Sequence, residues 1–244
     1  METNIERSLN ETLQNSHLEN ITTDILEIGL DAILEEGILR EIPIISMING
    51  IAKTGLAIQE KIFAKKIIGF LTSINKKTPE QRNELLEKIN GDKTYKTKVG
   101  ETLLLILDKA DNFEKPIVVG NLFSSTITGE LSYEEFLIAS HIVNNSYSTH
   151  LKKFVNSYST NLDMLRGIEE DERMTLAKAG ILAEIPIVDL SEAIRWEKIK
   201  GGKNLNIERL LSSKSKQKFD YKLSKAGEHI LVYGYMAKKK KWMG

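Results

Sequence analysis

"FEKPIVVGNLFSSTITGELSYEE", residues 113–135, contains the end of one predicted helix and the start of the next. The apolar residues of 113–128 are spaced as in a helix, and Gly129 marks where that helix is expected to end. Ser132 then offers a side-chain oxygen to the first turn of a second helix, and Glu135 completes a capping box. The stretch therefore predicts two successive helices joined by a short turn.

Similar signals occur on both sides of this stretch. "TPEQRNELLEKING", residues 78–91, has a threonine cap, a proline in the first turn and a closing glycine, and it predicts a short helix. Five consecutive aliphatic residues at 103–107 predict that the helix over 99–112 lies at the centre of the core. Further helices are predicted over 22–36, over 43–75 with a bend at Gly50 or Gly55, and from Ser132 to about Val155, where the apolar positions are Phe136, Ala139, Val143, Tyr147, Leu151 and Phe154.

The pattern changes after residue 160. Two short helices, near 161–167 and 169–179, precede β-type runs at 182–188 and 218–223. The residues between the two runs are rich in Lys, Ser and Gly and predict a long loop. The second run leads into "YKLSKAG" (221–227), a spacing that resembles the closing half of winged-helix domains, where a strand end, a helix cap and a close-packed glycine lie in register.

Together these patterns predict a mainly α protein. We expect a helical bundle followed by a winged-helix-like C-terminal subdomain with a small β-hairpin. The corresponding regions are residues 1–130 and residues 131–244, and the second region ends in a basic tail.

One segment occurs almost twice: "GILREIPI" at 37–44 and "GILAEIPI" at 180–187. In both copies a helix is expected to stop at the glycine, and Ile-Pro favours an extended step before the next element. The sequences that flank the two copies do not match. We therefore interpret the repeat as one turn used twice, with an ancestral duplication as the alternative.

The composition is that of a globular protein without cysteine chemistry. With 41% hydrophobic residues, the 244-residue chain can bury a sizeable core. The absence of cysteine excludes disulfides, thiolate nucleophiles and zinc–thiolate sites and suits a reducing compartment. The first residues are polar and acidic and lack the order of a secretory signal, so a cytoplasmic location is expected. The longest uncharged stretch of the first hundred residues, 42–52, is too short to cross a bilayer.

Charge is unevenly distributed along the chain. Residues 1–45 contain ten acidic and two basic residues, a formal charge of −8, whereas residues 195–244 contain fourteen basic and four acidic residues, a formal charge of +10. The basic end predicts contact with an anionic membrane surface or nucleic acid, and a solubilising face is the alternative. The candidate binding residues are Lys214, Lys216, Lys218, Lys222, Lys238, Lys239, Lys240 and Lys241.

Nucleic acid is the less favoured of these partners. The helix that would enter a DNA groove in a winged-helix arrangement begins with four carboxylates, at 169–172. Carboxylates favour a helix N-terminus but repel phosphates, which provide most non-specific affinity for nucleic acid. A nucleic-acid-binding regulator that uses the basic C-terminal face is therefore the alternative function.

An amphipathic pattern covers residues 43–71. At about 100° per residue, five isoleucines share one side, whereas Lys53 and Glu60 lie opposite. Such a face either packs in the core, which is the commoner outcome in a chain of this size, or lies at a membrane interface. The candidate interaction residues are Ile44, Ile48, Ile51, Ile58 and Ile62.

The sequence contains no recognisable catalytic, cofactor or metal motif. Asp108, Asp111 and Glu114 lack the loop pattern of a calcium site, and ion pairs with Lys109 and Lys115 are expected instead. The four histidines are not at metal-ligand spacing, and nucleophile elbows, Walker loops and dinucleotide-binding glycines are absent. We therefore expect a protein that is not an enzyme and that needs neither cofactor nor metal.

The order of these motifs resembles that of a bacterial family. An aliphatic "IPI" region, a helical middle with "LLLILDKAD" and a closing "AGIL" and "YKLSKAGE" are similar to proteins related to the Abi-alpha group, which is associated with abortive infection and phage defence. Residues 131–235 carry most of the resemblance. It implies a role in phage defence. For the function we expect a non-enzymatic interaction protein that acts through a protein partner or a second copy and lies peripheral to the inner membrane.

Overall fold

The computed structural model describes residues 4–15, 18–19, 21, 41–52, 58–95, 97–160, 165, 167–187 and 218–236. Its helices are α1 (Asn4–Asn15), α2 (Pro43–Ala52), α3 (Ile58–Ile74), α4 (Pro79–Asn90), α5 (Val99–Asp108), α6 (Glu114–Ile127), α7 (Tyr133–Asn145), α8 (Ser148–Thr160), α9 (Glu170–Ala179) and α10 (Lys225–His229), which continues as a π-helix over Ile230–Tyr235. Two strands, β1 (Leu182–Ile187) and β2 (Lys218–Leu223), form an antiparallel pair. The prediction of a mainly helical protein with a small hairpin is confirmed. The helix predicted over 22–36 and the loop over 188–217 lie outside the described residues.

Helix α6 forms the centre of the molecule. Ten of its fourteen residues are buried, and α3, α7 and the π-helix pack around it. A Cβ atom at Gly120 would lie only 2.7 Å from the carbonyl oxygen of Phe70, so α3 and α6 can approach this closely only because residue 120 is glycine. At the same crossing, the hydroxyl of Ser73 donates to the carbonyl oxygen of Ile117 at 2.9 Å.

The sequence-based choice of α5 as the central helix is wrong. Leu103 and Leu107 are buried, but Leu105 is 56% exposed, so α5 packs with one side only. A run of aliphatic residues indicates burial on all sides only where neighbouring helices are available to cover every side. Single exposed leucines are common on soluble proteins, and the run alone could not exclude this outcome.

The single helix predicted from Ser132 to about Val155 is two helices in the structure. Helix α7 ends at Asn145, and Ser146 is extended before α8 begins. The fully buried Lys115 explains the break: its Nζ atom donates to the carbonyl oxygens of Asn144 at 3.1 Å and Ser146 at 2.7 Å, and pairs with Asp111 at 2.9 Å. The apolar spacing continues across the break, so periodicity alone did not reveal it.

The N-terminal helix is attached through polar contacts to backbone groups. The side chain of Arg82, fully buried on α4, donates from Nε to the carbonyl oxygen of Leu13 at 2.7 Å and from Nη1 to that of Lys77. The hydroxyl of Thr12 accepts a hydrogen bond from the backbone N–H of Ile44 at 3.0 Å, in the first turn of α2. This N–H has no partner inside its own helix, so α1 caps α2.

The C-terminal segment has the local arrangement that its sequence predicts. Leu182 pairs with Leu223 across the hairpin, and the hydroxyl of Ser224 accepts from the N–H of Gly227 at 2.9 Å to start α10. A Cβ atom at Gly227 would overlap the carbonyl oxygen of Ile181, which confirms a close-packed glycine. The π-helix then packs on α6, where Asn121 Nδ2 donates to the carbonyl oxygen of Gly234 at 2.7 Å. The regions predicted to meet at residue 130 therefore share packed surfaces.

The two copies of the repeated segment differ in structure where both are described. Pro43 and Ile44 begin α2, whereas Pro186 and Ile187 end β1. Gly180 closes α9 with a φ of +96°, as predicted, while residues 37–40 of the first copy lie outside the described residues. The shared "IPI" is compatible with a first helical turn and with a strand. The interpretation of the repeat as one turn used twice is therefore wrong for the "IPI" residues.

Replacing Lys115 by methionine is expected to lower the free energy of unfolding by about 2–3 kcal/mol, because two carbonyl groups lose a charged hydrogen-bond donor. Urea denaturation followed by circular dichroism at neutral pH measures the change. Lys109→Met is the matched control, since Lys109 is exposed at the end of α5, and its effect should stay within about 0.5 kcal/mol. Equal effects of the two substitutions would contradict the role of the buried ammonium group.

The pair formed by Glu135 and Lys225 should make stability depend on pH. One oxygen of Glu135 accepts from Lys225 Nζ at 2.6 Å and the other from the backbone N–H of Ser132 at 3.0 Å. These hydrogen bonds, that of Lys225 foremost, lower the pKa of Glu135 from 4.5 to about 2. The folded state therefore gains stability above pH 4.5 and loses this contribution as the pH falls towards 2.

Glu135→Gln should therefore unfold at a lower urea concentration than the unchanged protein at pH 6, and the difference should vanish near pH 2. Because Lys225 is largely exposed, we expect a modest effect. Glu84→Gln, at an exposed position of α4, serves as the control for a general change of charge. A difference between Glu135→Gln and the unchanged protein that stays constant with pH would refute this linkage.

Candidate functional site

Of the eight predicted anion-binding lysines, Lys222 is the one whose side chain lies within the described part of the chain. It is exposed on β2, two residues after the exposed Asp220, whose negative charge offsets part of its positive charge. The backbone of Lys218 begins the same strand. Lys214, Lys216, Lys238, Lys239, Lys240 and Lys241 lie outside the described residues.

The predicted apolar face is divided between core and surface. Ile44 and Ile48 are buried, so they cannot contact a partner. By contrast, Ile58 is 78% exposed and Ile62 is 40% exposed. The side chain of Ile51 lies outside the described residues. The five isoleucines therefore do not form one surface, because α2 packs into the core while the start of α3 does not.

Burial along α3 changes abruptly at Ala64. From this residue to Ile74 most side chains are buried, whereas Ile58, Gln59 and Glu60 in the first turn are all exposed. Ile58, Ile62 and Lys65 follow one another at spacings of four and three residues and so lie along one side of the helix. The first two turns of α3 thus present two isoleucines to solvent.

Phe113 lies beside this exposed part of α3. Its ring is 40% exposed and lies 5.1 Å from the Nζ atom of Lys65, in the arrangement of a cation–π contact. The neighbouring Lys66 donates to the carbonyl oxygen of Asp108 at 2.9 Å and so attaches α3 to the end of α5. Phe113 therefore lies beside Lys65, which follows Ile62 by one turn of α3.

A fourth exposed apolar side chain, that of Tyr147, lies on a chain segment that is hydrogen-bonded to the residue before Phe113. Asn112 accepts hydrogen bonds from the N–H groups of Glu114 and Lys115, both at 3.0 Å, and its amide donates to the hydroxyl of Ser148. The residue before Ser148 is Tyr147, which is 65% exposed. We refer to Ile58, Ile62, Phe113 and Tyr147 as the apolar end.

Cationic groups accompany the apolar end. Lys152 forms an ion pair with Glu114 at 2.7 Å, next to Phe113. Burial raises the pKa of Tyr235, and the carboxylate of Glu114 raises it further, which places the last turn of the π-helix near the start of α6. The chain continues from there to the four lysines of the tail, with only Met236 and Ala237 between.

The start of α9 has the opposite charge. Glu172 accepts from Lys153, and this hydrogen bond lowers the pKa of its carboxyl group. The same side chain closes a capping box with Glu169. Glu170 and Asp171 remain exposed at the helix N-terminus, where they present negative charge to any partner.

A cleft of about 400 Å³ lies between α5 and α7. In its lining, the Nε2 atom of His141 lies 2.8 Å from the amide nitrogen of Asn145. Among the described residues, no group of three histidine or acidic side chains is arranged to hold a metal ion. Of the acidic residues at 108–114, Asp111 and Glu114 form ion pairs, although the lysine paired with Asp111 is buried rather than on the surface as expected.

Within the described ranges, no helix combines the length and hydrophobicity required to cross a bilayer.

Phe113 and Tyr147 were missed by the sequence analysis. The sequence pattern places Phe113 at the first position of a predicted helix, and it places Tyr147 on the apolar face of a helix that is interrupted in the structure. A signal for Phe113 was present, because Asn112 can cap a helix that begins at Glu114 and thereby leaves Phe113 at its edge. No comparable signal marks Tyr147.

Comparison with known proteins gives no relative: no protein-family model, no curated protein and no solved structure matches this chain.

Proposed function

We propose that this chain is a non-enzymatic interaction protein of bacterial phage defence that acts at the cytoplasmic face of the inner membrane by binding anionic lipid. The observation that carries the membrane part is the apolar end with Lys65 beside it, and the four consecutive lysines at 238–241 of the sequence support it. Apolar and aromatic side chains combined with lysine are typical of proteins that bind at a membrane surface. The defence part rests on the resemblance to the Abi-alpha group.

We also propose that α9, the hairpin and α10 form a winged-helix-like unit on a helical bundle. The order of helix, strand, strand and helix supports this, as do the capping Ser224 and the close-packed Gly227. The exposed Glu170 and Asp171 argue against the use of α9 to read a DNA groove, since phosphates would meet carboxylates there. The unit is therefore proposed as a scaffold for protein contacts rather than as a DNA reader.

Sedimentation with vesicles tests the membrane part. The purified protein should pellet with vesicles that contain phosphatidylglycerol and stay in the supernatant with phosphatidylcholine alone. Replacing Lys238, Lys239, Lys240 and Lys241 together by glutamine should weaken binding at least tenfold, because each lysine near an anionic surface contributes about 1 kcal/mol. The matched control replaces four exposed lysines elsewhere, namely Lys76, Lys88, Lys93 and Lys98.

A protein that remains wholly in the supernatant at low salt would refute the membrane part. Binding to duplex DNA in gel shifts that weakens steeply with salt would favour the nucleic-acid alternative.

Phage challenge tests the defence part. Bacteria that express the chain should form fewer plaques than cells with an empty vector for at least one phage of a broad panel, and infected cells should die before they release progeny. Equal plaque numbers across the panel would contradict a defence role. The two parts can fail separately, because lipid binding is measured without phage and plaque formation without purified protein.

A further inference from the structure

We propose that the apolar end inserts into the headgroup layer of an anionic bilayer, with Phe113 as its central anchor. This inference rests on the membrane part of the proposed function and names the residues that enter the lipid. It differs from attraction by the basic tail alone, because it requires apolar side chains to leave water.

Exposed apolar side chains are concentrated at the apolar end. Isoleucine is among the residues most often buried, yet Ile58 and Ile62 are exposed on successive turns of α3. Phe113 adds an exposed ring within 5.1 Å of Lys65, which lies one turn after Ile62. The hydrogen bond from Asn112 to Ser148 joins the residue before Phe113 to the residue after Tyr147, whose ring lies 5.4 Å from that of His150. Single exposed apolar residues need no explanation, but several of them on neighbouring segments indicate an interaction surface.

The backbone that carries the two rings is rigid. The side chain of Asn112 spans Phe113 and accepts hydrogen bonds from the N–H groups of Glu114 and Lys115, the two residues that follow it. Lys115 is itself buried and bound to the chain between α7 and α8, directly before Tyr147. Because both rings stand on a fixed backbone, their insertion requires little additional ordering of the protein.

The charge around the surface favours lipid over a protein partner. Two carboxylates within two residues of Phe113 in the sequence are paired, Glu114 with Lys152 and Asp111 with Lys115. Glu60 lies about 200° around the helix from Ile58 and so faces away from it. Protein interfaces are depleted in lysine, whereas lysine and aromatic residues together are typical of membrane interfaces.

The residues that follow the described part of the chain have a composition that suits the same occupant. The described chain ends at Met236, shortly after Gly234, whose carbonyl oxygen accepts from Asn121 on α6. The eight residues that follow Met236, "AKKKKWMG", combine four lysines with a tryptophan. Lysine and tryptophan are typical of segments at an anionic membrane surface.

The main experiment compares two triple variants of the full chain. Ile58→Ser, Ile62→Ser and Phe113→Ser in combination should reduce partitioning into phosphatidylglycerol vesicles about a hundredfold, since three apolar side chains no longer enter the lipid. The control variant combines Ile138→Ser, Met174→Ser and Ile185→Ser, at positions of similar exposure on α7, α9 and β1. It should bind within twofold of the unchanged protein. Both variants alter exposed positions and should unfold at similar temperatures.

A fluorescence measurement tests insertion with a variant that keeps an apolar side chain at position 113. Trp196→Phe and Trp242→Phe remove the two natural tryptophans, and Phe113→Trp then adds a single probe. With anionic vesicles its emission should shift to shorter wavelength and be quenched by brominated lipid. The same background with Ile138→Trp is the control, and its emission should be unaffected.

The outcomes separate this inference from the proposed function. Suppose that the unchanged protein and the variant at Ile58, Ile62 and Phe113 bind vesicles equally, and that the Phe113→Trp probe is not quenched. The insertion is then refuted, and lipid binding by the tail stands. Absence of all vesicle binding refutes both. A dimer in solution that the same triple variant dissociates would overturn the inference in favour of a second copy as the occupant.

Discussion

The close crossing of α3 and α6 is the constraint on which the remaining structure depends. Gly120 allows the two helices to approach until the carbonyl oxygen of Phe70 lies at the position that a side chain would occupy. Once α6 is held against α3, its other sides are covered by α7 and by the π-helix. Most side chains of α3 from Ala64 to Ile74 are buried on this side of the core, whereas Ile58 and Ile62 on the first two turns are exposed.

Features of the fold encoded by neighbouring residues were predictable from the sequence. The capping boxes at Thr78 and Ser132, the glycine at the end of α9 and the Ser224 cap of α10 each depend on residues within a few positions of one another. Features set by distant residues were not predictable. The break between α7 and α8 depends on Lys115, about thirty positions earlier, and the central place of α6 depends on partners from both ends of the chain.

The candidate site likewise combines features that neighbouring residues encode with features that depend on distant residues. The amphipathic pattern of residues 43–71 correctly indicated apolar positions, but periodicity does not distinguish a face that packs from a face that remains exposed. Ile44 became core because Thr12 and α1 cover the start of α2, a contact across about thirty residues of chain. Phe113 joined the surface through Lys65, which is distant in sequence. Lys222 is exposed on β2, and its role in binding an anionic partner stays a prediction.

The bond between Asn121 and the carbonyl oxygen of Gly234 joins residues that are 113 positions apart. The central helix is therefore translated well before the segment that covers part of it. A nascent chain that has not yet reached residue 230 lacks this cover and leaves Val118 and Asn121 accessible to chaperones and proteases. The core can close around the central helix only after the ribosome has passed the π-helix.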